Sequence, residues 1–417
     1  MRIAYYVPRA GYLESCPGGE KHTSGSGMFI TNVLTGLRER GHEVRIISRV
    51  DMRDFWLGRL PARRLLAEAA LVRGVVRKFS PDAWLVYASS VQYPDLFGWW
   101  QNPKSYVLLG CEGSGQQRIQ AMPKPWRQLY AYGFRKSLQR ADKVVVVRAM
   151  GELGGAVQHF REWGVPAERI CFLPLAVKPW KHLPSREEAR RVLGLPQEGP
   201  LILCVSRFSV RRYKGDPRPG KTEAVLDLMR AFATLPPNAV LVLVGNGEGR
   251  RQIEEEAARL KISDRVRLAG EVEHSDVSWY YAACDFFAIP EQAESNRPYQ
   301  ALLEAQVCGR PIVTMKTDLA QMTTEAGRAG LLAADLNEFQ AHLLALAQDR
   351  NRCEEMGRAA AAFVARSFSI EVRASQIEEL LHGPLEASTV RRPAPVPQSA
   401  VLASEETLAK NSDHIAA

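Results

Sequence analysis

The run Ala239-Val-Leu-Val-Leu-Val-Gly-Asn-Gly-Glu-Gly249 constrains the fold more than any other stretch of this chain. Successive apolar residues with no polar alternation describe a strand covered on both faces, the situation of a parallel sheet. The strand runs into Gly245-x-Gly247, and a helix is predicted from Arg250 to Leu260. Together they make one parallel crossover whose functional end is at the glycines.

The same alternation recurs. Arg2 to Val7 reads as a strand, followed by a long polar loop ending in Ser24-Gly-Ser-Gly27, a helix from about Met28 to Arg40, and a strand in Gly41 to Ile47. This is a Rossmann-type opening. Its glycines lack the G-x-G-x-x-G spacing and its loop is long, which argues against a dinucleotide site. Further strands are predicted at Ala83–Tyr87, Ser105–Gly110, Lys143–Arg148, Arg169–Val177, Pro200–Phe208, Arg265–Val272 and Cys284–Ile289, with helical segments between most of them. At 417 residues the chain is too long for a single core. The expected architecture is α/β, with two Rossmann-like domains at 1–178 and 179–365. From about Leu385 on, Pro393-Ala-Pro-Val-Pro and scattered Ser, Ala and Glu suggest a disordered tail over 385–417.

Chemistry concentrates between Pro290 and Pro311. The strand Cys284–Ile289 leads through a polar loop to a helix for which Pro298 suits the first turn, and Gly309 with Pro311 marks its end. A strand end thus faces a helix N-terminus, whose free amides and partial positive charge favour an anion, usually a phosphate. Glu304 lies inside that helix among apolar neighbours. A purely architectural reading remains open, with Glu304 on the wetter face of an ordinary doubly wound unit.

This segment resembles the nucleotide-sugar signature of glycosyltransferase family 4, in which two glutamates separated by seven residues precede an alanine, a Cys-Gly pair and a proline. Glu304-Ala305, Cys308-Gly309 and Pro311 match; the first glutamate is replaced by Asn296, with Glu294 and Glu291 nearby. The resemblance extends over about 1–382, more closely in the second half. It includes Val-Gly-x-Gly at Val244 to Gly247, an arginine at a strand end, Arg207, and a lysine opening the next helix. Lys221 and Lys214 both remain candidates for that lysine, with Lys221 preferred because it directly precedes Glu223 to Phe232. In the first half, Gly41-His-Glu-Val matches, and Ser24-Gly25 occupies the position of a glycine pair. Where relatives often carry a histidine, this chain has Gly110-Cys-Glu-Gly113, leaving Glu112 as a substitute.

The resemblance implies a GT-B fold, two Rossmann-like domains facing across a cleft, with residues 366–384 crossing back to the first. It also implies retaining transfer of a sugar from a nucleotide diphosphate sugar to an acceptor hydroxyl or amine. Arg207 and Lys221 would stabilise the departing diphosphate, Glu304 would accept hydrogen bonds from ribose hydroxyls, and Glu294 or Asn296 would stand near the reacting carbon. Gly25, Gly245, Gly247, Pro298, Tyr299, Gln300 and Ala301 would border the donor, and Gly270 and Val272 would flank its base. His274 is read as a surface-loop residue. No Asp-x-Asp motif occurs, in keeping with a metal-independent reaction and no cofactor beyond the nucleotide-sugar co-substrate.

Charge is uneven. Residues 1–180 carry 26 Lys and Arg against 14 Asp and Glu, and the remainder 29 against 32. The basic half is expected to meet something anionic, such as a phosphorylated or lipid-linked acceptor or a membrane surface. The arginine-rich amphipathic region Phe55–Phe79 suits that role or a simple solvated face. Nucleic acid is disfavoured by the lack of zinc-finger, RNA-recognition or KH signatures. Seven cysteines with no Cys-x-x-Cys argue against disulfides and structural zinc. With no signal-peptide pattern at the start, the expected location is cytoplasmic, with room for peripheral contact at the inner membrane face. Two rivals stay open: a non-hydrolysing nucleotide-sugar epimerase, and a catalytically silent nucleotide-sugar-binding protein, the latter favoured by Asn296 and the missing histidine.

Overall fold

The computed structural model describes residues 1–9, 25–87, 90, 93–111, 123–146, 153–174, 176–210, 220–290, 300–325 and 327–382. The expected tail, 385–417, lies outside them. In the first half the elements are β1 (Arg2–Tyr6), α1 (Gly25–Glu39), β2 (Glu43–Ile46), α2 (Met52–Trp56), α3 (Ala62–Phe79), β3 (Ala83–Tyr87), β4 (Ser105–Leu109), α4 (Lys124–Arg140), β5 (Lys143–Val146), α5 (Leu153–Glu162) and β6 (Ile170–Phe172). Its sheet has the order β2-β1-β3-β4-β5-β6, with every pair parallel. Strands β3 and β4 are buried at every residue, as a sheet covered by helices on both faces requires.

The second half continues with α6 (Arg186–Val192), β7 (Leu201–Val205), α7 (Lys221–Phe232), β8 (Val240–Val244), α8 (Arg250–Arg259), β9 (Val266–Gly270), α9 (His274–Ala283), β10 (Phe286–Ile289), α10 (Gln300–Val307), β11 (Ile312–Met315), α11 (Asp318–Thr323), β12 (Gly330–Ala333), α12 (Leu336–Gln348), α13 (Arg350–Ser367) and α14 (Ile370–Leu381). Its sheet, β12-β11-β10-β7-β8-β9, is also wholly parallel. Several of these helices start at a side-chain cap. Ser185, Thr317, Asp335, Asp349 and Ser369 each accept from the backbone amide three residues on. The architecture is that of a GT-B fold, as the resemblance implies.

Two segments connect the halves. After β6 the chain passes Val177, whose amide donates to the Phe368 carbonyl at 2.9 Å, where the chain comes back from α13. Helix α14 then lies on α1. Gly36 makes this approach possible, since a Cβ there would stand 2.8 Å from Ile370 Cγ2 and 2.9 Å from Ala374 Cβ. An ion pair between Arg40 and Glu378 closes the far end of the contact.

Three local readings need correction. The helical region expected at Phe55–Phe79 is two helices, broken where Gly58 takes φ +74° and Pro61 becomes the N-cap of α3. Helix α1 begins at Gly25, three residues earlier than expected. His274 is not in a loop: it opens α9, a helix absent from the sequence reading.

Candidate functional site

In the second sheet the chain builds β7, β8 and β9 outward in one direction, then returns past β7 to build β10, β11 and β12 in the other. Strands β7 and β10 are therefore neighbours whose following segments diverge to opposite sides. A crevice forms outside the carboxyl ends at such a reversal, and ligands bind there in open α/β sheets. Because all six strands are parallel, Arg207, Gly245, Gly247, Gly270 and the approach to α10 share one edge of the sheet. The first sheet has the equivalent reversal between β1 and β3, where Gly25 opens α1.

Arg207 is exposed, but its backbone is held tightly. The Ser206 amide donates to the Val244 carbonyl at 2.9 Å, Phe208 N to Asn246 O at 3.0 Å, and Gly249 N to Phe208 O at 2.9 Å. The glycines after β8 make this lacing possible. A Cβ on Gly245, whose φ is +136°, would lie 1.8 Å from the Ser206 carbonyl oxygen, and one on Gly247, with φ +154°, 2.4 Å from that of Phe208. Both positions therefore require glycine sterically, and the segment they admit is the one that carries Arg207. The Gly245 amide also donates to Gly270 O at 2.7 Å, tying β9 into the same edge. Val272, just beyond, is half-buried against the core of this half.

Lys221 is the first residue of α7. Its amide donates to Ser209 Oγ at 3.2 Å, and Thr222 N donates to Ser209 O at 3.1 Å. Ser209 is two residues from Arg207, so this helix start is fastened to the segment bearing the arginine. Lys214 lies outside the described residues.

Glu304 is 6% exposed, one turn into α10 counted from Gln300. Its carboxylate is held from two sides. Tyr281 Oη, fully buried, donates to Oε2 at 3.0 Å and stands 3.3 Å from the Ala301 carbonyl; His274 Nε2 stands 3.1 Å from Oε1. Burial disfavours a charged imidazole at His274, but the hydrogen bond and negative charge of Glu304 outweigh it and raise its pKa. Burial, then the Glu304 charge, pushes the Tyr281 phenol well above its ordinary value. Trp180 stacks on His274, with ring centroids 5.5 Å apart and planes 22° apart, and packs on Tyr281 at 5.6 Å. Gln300, half-buried at the helix start, has its side-chain oxygen buried with no hydrogen-bond partner among the described residues. Ala301 is buried beside it.

The structure thus brings Arg207, Lys221, Gly245, Gly247, Gly270 and Val272 together at one edge, with Glu304, Gln300 and Ala301 following the adjoining strand. Glu294, Asn296, Pro298 and Tyr299, together with Glu112, lie outside the described residues. Sequence reasoning missed Trp180 and Tyr281 and misplaced His274. No spacing marked them, because their relation to Glu304 exists only once α9, α10 and the connector after β6 are packed. Among the described residues, no group of three or more His, Cys, Asp or Glu is placed to hold a metal ion.

Comparison with known proteins agrees with this fold. The family model for glycosyl transferases group 1 matches residues 185–363. The chain is similar to a GDP-mannose-dependent monoacylated alpha-(1-6)-phosphatidylinositol monomannoside mannosyltransferase of Corynebacterium glutamicum, 27% identical over half of this chain and 55% of that protein. It is also similar to the D-inositol 3-phosphate glycosyltransferase of Thermobispora bispora, 24% identical over 91% of this chain and 94% of the relative. The chain thus spans about half the length of the first relative and nearly all of the second. Among solved structures, sucrose-phosphate synthase from Thermosynechococcus elongatus superposes with TM-score 0.66 at 19% identity, over 91% of this chain and 98% of the other. HepE of Anabaena, in complex with UDP and glucose, gives 0.62 at 19% identity over 92% and 100%. Residues 185–363 thus form a glycosyl transferases group 1 domain, set in a chain with a GT-B fold.

Proposed function

We propose that this protein is a retaining, metal-independent glycosyltransferase of family 4 that moves a sugar from a nucleotide diphosphate sugar to an acceptor hydroxyl or amine. One observation carries the reading: the fastening of Arg207 and the Lys221 helix start to the same short segment at the β7/β10 reversal, with the buried carboxylate of Glu304 in the helix that follows β10. As the bond between the sugar and the diphosphate breaks, positive charge grows on the sugar and negative charge on the leaving group. Arg207 offers a planar fork and Lys221 a compact charge to the phosphate oxygens. Stabilising a developing diphosphate charge in this way serves in place of a metal ion. The start of α10 at Gln300 and Ala301, with Tyr299 before it, and Gly25 at the start of α1 would contribute backbone amides, while Pro298, which has no N–H, would border the donor and fix the chain ahead of them. Glu304 would accept from the ribose hydroxyls, Gly270 and Val272 would flank the base, and Glu294 or Asn296 would stand near the reacting carbon.

The relatives' names mention GDP-mannose and phosphatidylinositol-based acceptors, and HepE is described with UDP. An anionic or lipid-linked acceptor, reached from the inner face of a membrane, fits the basic first half of this chain. The deciding experiment is a thermal-shift panel of UDP, GDP and ADP with EDTA present, followed by donor turnover with the matching sugar nucleotides. A ligand at a hundredfold its dissociation constant stabilises by about 2.7 kcal/mol, which such a panel resolves. One diphosphate is expected to stand out, with transfer to an acceptor. Isomerised donor without acceptor would favour the epimerase, and binding with neither transfer nor hydrolysis the silent protein.

A further inference from the structure

The Glu304 carboxylate is more elaborately held than a solvated surface acid, and the groups that hold it come from three separate parts of the chain. Tyr281, on the inner face of α9, donates to Oε2, and His274, at the first position of the same helix, stands against Oε1. Trp180, from the connector between β6 and α6, covers the outer face of the imidazole. Arg310, just past α10, fastens the end of α9 from the other side, its Nε donating to Tyr281 O and its Nη2 to Ala282 O, each at 2.8 Å. The geometry is therefore specified at both ends of α9.

A carboxylate has about four lone-pair positions. Tyr281 and His274 occupy one on each oxygen, leaving one on each, and a vicinal diol presents two donors side by side. Without the His274 donor, a carboxylate this deeply buried would lose much of its compensation and would turn towards water. A carboxylate turned away from this orientation would no longer present both acceptors to a diol.

We infer that His274, steadied by the face of Trp180, is a positioning residue that holds Glu304 in the orientation that selects a ribonucleotide by its 2′,3′-diol. This inference rests on the donor-site reading above. It adds that ribose selectivity is set by His274, Tyr281 and Trp180 through the way they hold the carboxylate.

The test compares the nucleoside diphosphate giving the largest thermal shift with its 2′,3′-dideoxy counterpart, by calorimetric titration. Wild-type protein is expected to prefer the ribonucleotide by about tenfold to a hundredfold, the range for hydrogen bonds to a charged group. In His274→Ala that preference should collapse, with ribonucleotide affinity falling to the level of the dideoxy compound and dideoxy affinity unchanged. His274→Gln, which can still present an N–H, should restore much of it, and Trp180→Ala should show an intermediate loss. Equal weakening of both nucleotides in His274→Ala would mean that the cluster is only a structural clip, and an undiminished preference would also overturn the inference. A wild type that does not distinguish the two compounds would instead remove the ribose role of Glu304, and this inference with it.

Discussion

At the scale of single residues, the main question left open by the sequence is which lysine serves the diphosphate. Lys221 has its backbone tied through Ser209 to the segment of Arg207. We expect Lys221→Ala to weaken nucleoside diphosphate binding by about tenfold to a hundredfold, the value of one charge-assisted hydrogen bond, and Lys214→Ala to leave it within about twofold. Titration calorimetry on the two variants decides, and the reverse pattern would transfer the role to Lys214. The places of Arg207, Lys221, Gly245 and Gly247 in the fold were legible in the sequence, because each sits at a junction whose pattern is local, a strand end, a helix start or a glycine pair; Glu304, inside its helix, was singled out by resemblance to a signature. The reason for the glycines was not. Their closest neighbours, the Ser206 and Phe208 carbonyl oxygens, are some forty residues away in the chain. The same holds for His274, whose partner Glu304 is thirty residues distant.

At the scale of elements, strands β7 and β10 must be held in register for the reversal between them to work as a site, and one network does this. Asp285, immediately before β10, accepts from Arg190 Nη2 at 2.8 Å, Arg186 Nε at 2.9 Å and the Leu201 amide that begins β7 at 2.7 Å. Arg190 is fully buried, and its remaining donors reach the carbonyls of Ala283, Pro196, Gln197 and Gly199. Removing one partner of such a pair leaves an uncompensated buried charge, so Asp285→Ala should cost about 3 to 5 kcal/mol in denaturant unfolding. Replacing both, with Arg190→Met added, should recover much of that loss; a single variant costing under about 1 kcal/mol would show that packing alone aligns the strands. The strands of this network were plain in the sequence as apolar runs. Helix α9 was not, because His274-Ser-Asp-Val-Ser-Trp-Tyr-Tyr is poor in strong helix formers and Glu273 makes no side-chain cap. Its helicity comes from burying Val277, Tyr281, Ala282 and Ala283 and from Arg310 on its last carbonyls, which are tertiary facts.

At the scale of the whole molecule, charge and exposure single out one face of the first half. Helix α3 has 18 residues, of which only Val72 and Phe79 are buried. Leu66 is 72% exposed and Leu71 63%, on a helix that also exposes Arg63, Arg64, Arg73, Arg77 and Lys78. Around its start, Arg59, Leu60, Pro61, Arg63, Arg64 and Ala67 line a hollow of about 480 Å³. A helix exposing leucines among cations fits an interface where the side chains can enter the headgroup region and the charges meet anionic lipid. No described helix is long and apolar enough to cross a membrane, so any attachment through these helices is to a surface. Each basic residue near such a surface contributes about 1 kcal/mol, and the attraction decays over about 10 Å at 0.1 M salt. Co-sedimentation with vesicles containing anionic lipid should therefore fall steeply as salt is raised and be weak on neutral vesicles. Arg63→Glu with Arg64→Glu should lower low-salt binding by tenfold or more, since about 2 kcal/mol of attraction is lost and repulsion is added. Leu66→Ser with Leu71→Ser should instead remove the part of binding that resists salt, because that part comes from apolar burial. Binding at low salt that ignored lipid charge and both pairs of substitutions would leave α3 as an ordinary solvated face.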